Sequence, residues 1–125
     1  MSANRATRLP GRYDPALPAN ARKLELVEEL IKVAADAGTS LTHLAVAFTA
    51  AHPAVTATII GPRTMDQLQD LLAGADVTLD DEVLDRIDAI VSPGVTLNEA
   101  DAGWAPPALA DASSRRRPAS DRSAA

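Results

Sequence analysis

Residues 55 to 60, Val55-Thr56-Ala57-Thr58-Ile59-Ile60, restrict the folding of this chain more than any other stretch. The run is β-branched and mostly apolar, which is the composition of a short strand covered on both faces, as strands of parallel sheets are. A strand needs neighbours, because each buried N–H or C=O left without a partner costs about 1–3 kcal/mol. No other segment reads as a strand. The expectation is therefore a mostly α-helical chain with one short strand at 55–60 whose pairing partners are missing.

The patterned part runs over 20–94, with helices expected over about 19–37, 41–51, 65–72 and 81–91. In the first helix Leu24, Val27, Ile31 and Ala34 follow three-four spacing and Leu30 widens the stripe, so these residues are expected to face inward. Arg22, Lys23, Glu25, Glu28, Glu29, Lys32 and Asp36 make up the expected solvated face, with Glu28 and Lys32 placed for an i,i+4 pair. Gly38 is placed to close this helix in a left-handed cap. Ser40 is the candidate N-cap of the second helix and Pro53 ends it. From Leu41 to Ala51 that helix is apolar nearly all round, so it must be buried on several sides. His43 and His52, nine positions apart and without a carboxylate in view, read as structural residues. Asp80 is the plausible N-cap of the last helix, Val83, Leu84 and Ile87 form its inner face, and Pro93-Gly94 stops it. Pro10-Gly11, Pro15 and Pro18 make residues 1–19 an expected irregular segment. Residues 95–111 read as a loop, and 112–125, rich in Ser, Arg, Ala and Pro, as a disordered tail.

Composition removes several classes of function. A length of 125 residues allows one domain at most. A net charge of −5 and only three aromatic residues, Tyr13, Phe48 and Trp104, argue against a nucleic-acid binder. Without cysteine there is no disulfide frame, thiolate nucleophile or zinc-finger ligand set. No apolar run reaches bilayer length and no signal-peptide pattern is present, so a cytoplasmic, non-membrane protein is expected. Asp80, Asp81, Glu82, Asp85 and Asp88 lack the alternating spacing and glycine of a calcium loop, and read as helix-start charge with no metal site.

The one stretch suited to small-molecule chemistry follows the strand. Gly61-Pro62-Arg63 leads into a helix at Met65, and Thr64 with Gln67 forms the T-x-x-Q capping box. A strand feeding a helix N-terminus through a glycine turn is a common phosphate-binding device. Arg63 adds a guanidinium able to make charge-assisted bonds with phosphate, each worth roughly 1.5–3 kcal/mol.

Four features together resemble the C-terminal part of an aldo/keto reductase. They are the amphipathic helix ending at Gly38, the Ser40-Leu41-Thr42-His43-Leu44-Ala45-Val46-Ala47-Phe48 helix, the Ile59-Ile60-Gly61-Pro62-Arg63-Thr64-x-x-Gln67-Leu68 turn, and the helix at 81–91. The Ala100-Asp101-Ala102-Gly103-Trp104 segment is similar to members of the same family. The resemblance implies a C-terminal fragment of a (β/α)8 barrel, an α/β fold by descent, in which 55–60 is the last strand. It implies that Gly61, Arg63, Thr64, Gln67 and Asp70 bind the 2′-phosphate and adenine of NADP(H). Leu71 stands where the family usually has an asparagine. The family's Asp, Tyr, Lys and His tetrad lies on earlier strands and matches no residue here, so no catalytic residue is assigned. The expected function is that of a truncated NADP(H)-dependent carbonyl reductase, inactive alone, whose substrate in a full-length context is an aldehyde or ketone. The alternatives are a non-catalytic helical interaction module, self-associating through exposed apolar surface, and a residual nucleotide-binding remnant.

Overall fold

The computed structural model describes residues 8–53 and 55–104. Its elements are α1 (Pro10–Tyr13), α2 (Pro18–Asp36), α3 (Leu41–Ala51), α4 (Met65–Gly74), α5 (Asp81–Ile90) and a 3-10 turn (Glu99–Asp101). The tail expected from residue 112, and the loop beyond residue 104, lie outside the described residues. Among the described residues no helix is long and apolar enough to cross a membrane.

Local chemistry sets the helix boundaries. Pro18 opens α2 at the first helical position, where its missing N–H would have had no partner. Gly38 closes the helix at φ +69°, with Gly38 N–H donating to Ala35 O (3.0 Å) and Thr39 N–H to Ala34 O (2.9 Å). These two bonds make a Schellman cap. Ser40 Oγ accepts from His43 N (3.1 Å) at the start of α3, and Asp80 Oδ1 accepts from Val83 N (2.9 Å) at the start of α5. Residues 1–19 were expected to be irregular, yet Pro10–Tyr13 forms a single helical turn. Proline at a first helical position begins a helix as readily as proline in its interior breaks one.

Val33 and Ala34 of α2, Leu44 of α3 and Ile87 of α5 form the core, with Leu30, Leu41, Leu79, Val83 and Ile90 packed against it. Helix α3 lies between α2 on one side and α4 on the other. The inward stripe of α2 matches the expected one only at Ala34 and at Leu30, which packs against the core. Leu26, Val33 and Ala34 are buried, whereas Leu24, Val27 and Ile31 are exposed, Leu24 to 49%. Both stripes are spaced for one helix face, and the approach of α3 and α5 selects the one containing Leu26. Helix α3 buries Leu44, Val46 and Ala47 but leaves Ala45, Phe48 and Ala50 exposed, so its need for cover on several sides is only partly met.

The expected strand does not form. Residues 55–60 run without regular structure, and none of the described residues belongs to a strand. Beyond the bond from Val55 N to His52 O (2.9 Å), the segment makes no backbone hydrogen bond with described residues, and Ile59 is 98% exposed. A β-branched run favours strand conformation, but a ladder requires a second strand.

A polar lock joins the two ends of the described chain. Asn20, 2% exposed, donates through Nδ2 to Gly11 O (3.1 Å) and Asp14 O (3.0 Å), and its Oδ1 accepts from Lys23 Nζ (3.0 Å). Lys23 also donates to Arg12 O (3.2 Å) and pairs with Asp101 (2.5 Å), which Arg12 Nε meets at 3.2 Å. Lys23 was expected on the solvated face and is instead half-buried, because the 3-10 turn brings a carboxylate to it. On the remaining charged face Arg22 pairs with Glu25 (3.2 Å) and Glu29 (4.0 Å), while Arg86 of α5 meets Asp36 at the end of α2 (2.6 Å).

Candidate functional site

The N-terminus of α4 is built as the T-x-x-Q pattern requires, with one change. Thr64 Oγ1 accepts from Gln67 N (3.2 Å), as a capping residue does. Gln67 Oε1 reaches one residue further back than in the usual box and accepts from Arg63 N (2.8 Å). That bond ties the backbone of Arg63 to the first turn and sets where its side chain leaves the surface. Arg63 is exposed and makes no ion pair with any described residue. In the same turn the N–H groups of Met65 and Asp66 precede the first intrahelical bond, from Leu68 N to Thr64 O (3.1 Å). The turn therefore gathers an unpaired guanidinium, two backbone donors and a hydroxyl. The Asp66 carboxylate, also in the first turn, opposes an anion there.

Gly61 precedes this turn, and apart from its chain neighbours no described residue comes within 4 Å of where a Cβ would stand. It lines an open groove of about 330 Å³ between α3 and the segment before the turn, whose walls include Thr42, Val46, Thr58, Ile60 and Leu71. Thr58 Oγ1 is buried there without a hydrogen-bond partner among the described residues. Gly61, Arg63, Thr64 and Gln67 are thus brought together at one end of α4.

Asp70, the fifth candidate, is engaged differently. Its Oδ1 lies 2.8 Å from His43 Nε2, across the α3–α4 contact. His43 was expected to have no carboxylate partner, and the structure supplies one from 27 positions away. The sequence carried one signal for this contact: Gly74 sits one turn beyond Asp70, on the same helix face. A Cβ at Gly74 would lie 3.2 Å from His43 Cα and Cδ2, so the glycine marks the crossing of the two helices. Asn20 was also missed, because a single asparagine near a helix start has no periodicity to distinguish it.

The model of the aldo/keto reductase family matches residues 2–92, and the chain belongs to that family. A protein of Bacillus subtilis (strain 168), described as the uncharacterized oxidoreductase YrpG, is 34% identical over 101 residues, which are 80% of this chain and 30% of that protein. The chain therefore spans less than a third of the length of this curated relative. No solved structure gives a significant match. Membership gives the chain an oxidoreductase-like origin, in a family that generally uses NAD(P)H.

Proposed function

We propose that this chain corresponds to the C-terminal part of an aldo/keto reductase and holds the adenosine 2′-phosphate end of NADP(H) at the start of α4. The observation that carries this reading is the exposed, unpaired Arg63 guanidinium fixed beside the capped helix N-terminus by the bond from Arg63 N to Gln67 Oε1. Arg63 and the hydroxyl of Thr64 bind the 2′-phosphate, the open space at Gly61 admits the nucleotide, and Gln67 and Asp70 face the adenine. When bound, the cofactor supplies hydride to a carbonyl carbon in the full-length context. The tetrad that would deliver the accompanying proton has no counterpart among these residues, so the chain alone does not turn over.

Two measurements test the reading. Fluorescence titration should give at least about ten-fold tighter binding of NADPH than NADH, since a charge-assisted bond to the 2′-phosphate is worth that much. The difference should vanish in Arg63→Ala, whereas equal binding by the unmodified chain would remove the role of Arg63. With a panel of aldehydes, NADPH oxidation should not exceed the enzyme-free control. Turnover above that control, abolished by Arg63→Ala, would show a complete active site.

The exposed stripe of Leu24, Val27 and Ile31, together with Ile59, favours a second reading, that of a non-catalytic helical module that docks through apolar surface. A monomer with a sharp thermal transition in light scattering and calorimetry would count against it.

A further inference from the structure

We infer that His43 is a positioning residue that makes Asp70 a one-sided acceptor, and that this pair selects a 6-aminopurine over a 6-oxopurine; the inference rests on the reading of the α4 turn as a nucleotide grip. Three contacts hold the imidazole. Its backbone is fixed at the start of α3, where His43 N donates to Ser40 Oγ (3.1 Å). Its ring lies against Gly74, where an added Cβ would come within 3.2 Å of His43 Cδ2. Its Nε2 meets Asp70 Oδ1 at 2.8 Å. An ionised carboxylate has no proton to give, so Nε2 carries the hydrogen and donates it.

Asp70 is thereby left with one engaged oxygen and one open one. Its side chain is 55% exposed, and Oδ2 makes no bond with a described residue. Asp70 and Gln67 stand three apart and share a face of α4. From Thr64 to Asp70 the helix rises about 9 Å, the scale of one purine nucleoside laid along its axis. A nucleotide gripped at Arg63 can therefore present the far edge of its base to Asp70. An oriented acceptor oxygen accepts a hydrogen bond from an exocyclic amine and repels the lone pairs of an exocyclic carbonyl. Without His43 the carboxylate rotates freely in solvent and the selection is lost, because an exposed acceptor discriminates only while its direction is fixed.

The test compares NADPH with its hypoxanthine analogue, in which a 6-oxo group replaces the 6-amino group, by fluorescence titration of the unmodified chain and of variants. The unmodified chain should prefer the amino form by about ten-fold. His43→Ala should reduce the preference to less than about two-fold, and His43→Gln, which keeps an N–H donor, should restore part of it. Arg63→Ala should weaken both nucleotides equally and leave the preference intact. Equal binding of the two nucleotides by the unmodified chain, or an undiminished preference in His43→Ala, overturns the role of His43 while leaving the phosphate grip standing. Failure of NADPH to bind the unmodified chain overturns the grip and the pair together. If His43→Ala does not fold, the nitrogen resonance of His43 Nε2 in the unmodified chain decides: it should move on addition of NADPH and not of the analogue, and an equal response to both overturns the inference.

Discussion

Asn20 and Asp66 show how differently a polar residue weighs when buried and when exposed. Asn20, itself buried, donates to two carbonyls and accepts from Lys23. Asn20→Ala removes both amide donations and the acceptor for Lys23, leaves Gly11 O without its side-chain donor, and should cost about 1–3 kcal/mol in urea unfolding. Arg22→Ala, which removes two exposed pairs on the same helix, should cost less than about 1 kcal/mol. Similar losses for the two would mean that the lock around Asp101 does not hold the chain ends together. Asp66 acts on stability and on ligand affinity in opposite directions. Its carboxylate favours the N-terminus of α4 by about 0.3–1 kcal/mol and repels any anion that seeks the same donors. Asp66→Asn should therefore lower the unfolding midpoint slightly while tightening NADPH binding by roughly two- to five-fold. Weaker NADPH binding in this variant would argue against an anion at the turn.

Helix α2 carries apolar residues on two overlapping stripes, and only its neighbours decide which is inside. Leu26 is 2% exposed and Leu24 49%. Leu26→Ala should cost about 2–5 kcal/mol, enough to unfold much of so small a domain, and Leu24→Ala less than about 1 kcal/mol. The reverse order, read from circular dichroism against urea, would rotate the helix by the angle between the stripes. Helix ends are decided within a few residues, so the caps at Ser40, Thr64 and Asp80 and the glycine at Gly38 were all readable in the sequence. The face of α2 and the fate of residues 55–60 were not, since both depend on partners distant in the chain. The candidate site divides in the same way. The local group of Gly61, Arg63, Thr64 and Gln67 was legible from a capping box, whereas the engagement of Asp70 by His43 required the crossing of α3 and α4 at Gly74.

For the molecule as a whole, membership of a reductase family is combined with apolar surface that the described residues leave exposed. Among the described residues eight apolar side chains are buried, while Leu24, Val27, Ile31, Val55 and Ile59 are exposed. Of these surfaces residues 55–60 are the most reactive toward another chain. They are uncharged, rich in β-branched residues and without regular structure, and apart from Val55 N their backbone donors and acceptors make no backbone bond with a described residue. An exposed edge of that kind templates pairing with a second strand. The self-association of the purified chain should therefore rise with concentration, seen as growing mass in light scattering, together with a strand contribution in circular dichroism. Ile59→Lys places a charge on the edge without touching the core, since Ile59 is 98% exposed. It should hold the chain monomeric and leave its helix content unchanged. A double substitution of Leu24 and Ile31 by lysine should leave association intact. Should that double variant abolish association while Ile59→Lys does not, the apolar face of α2 is the contact surface and the segment 55–60 is not. An unmodified chain that stays monomeric at all concentrations shows that neither surface recruits a second copy.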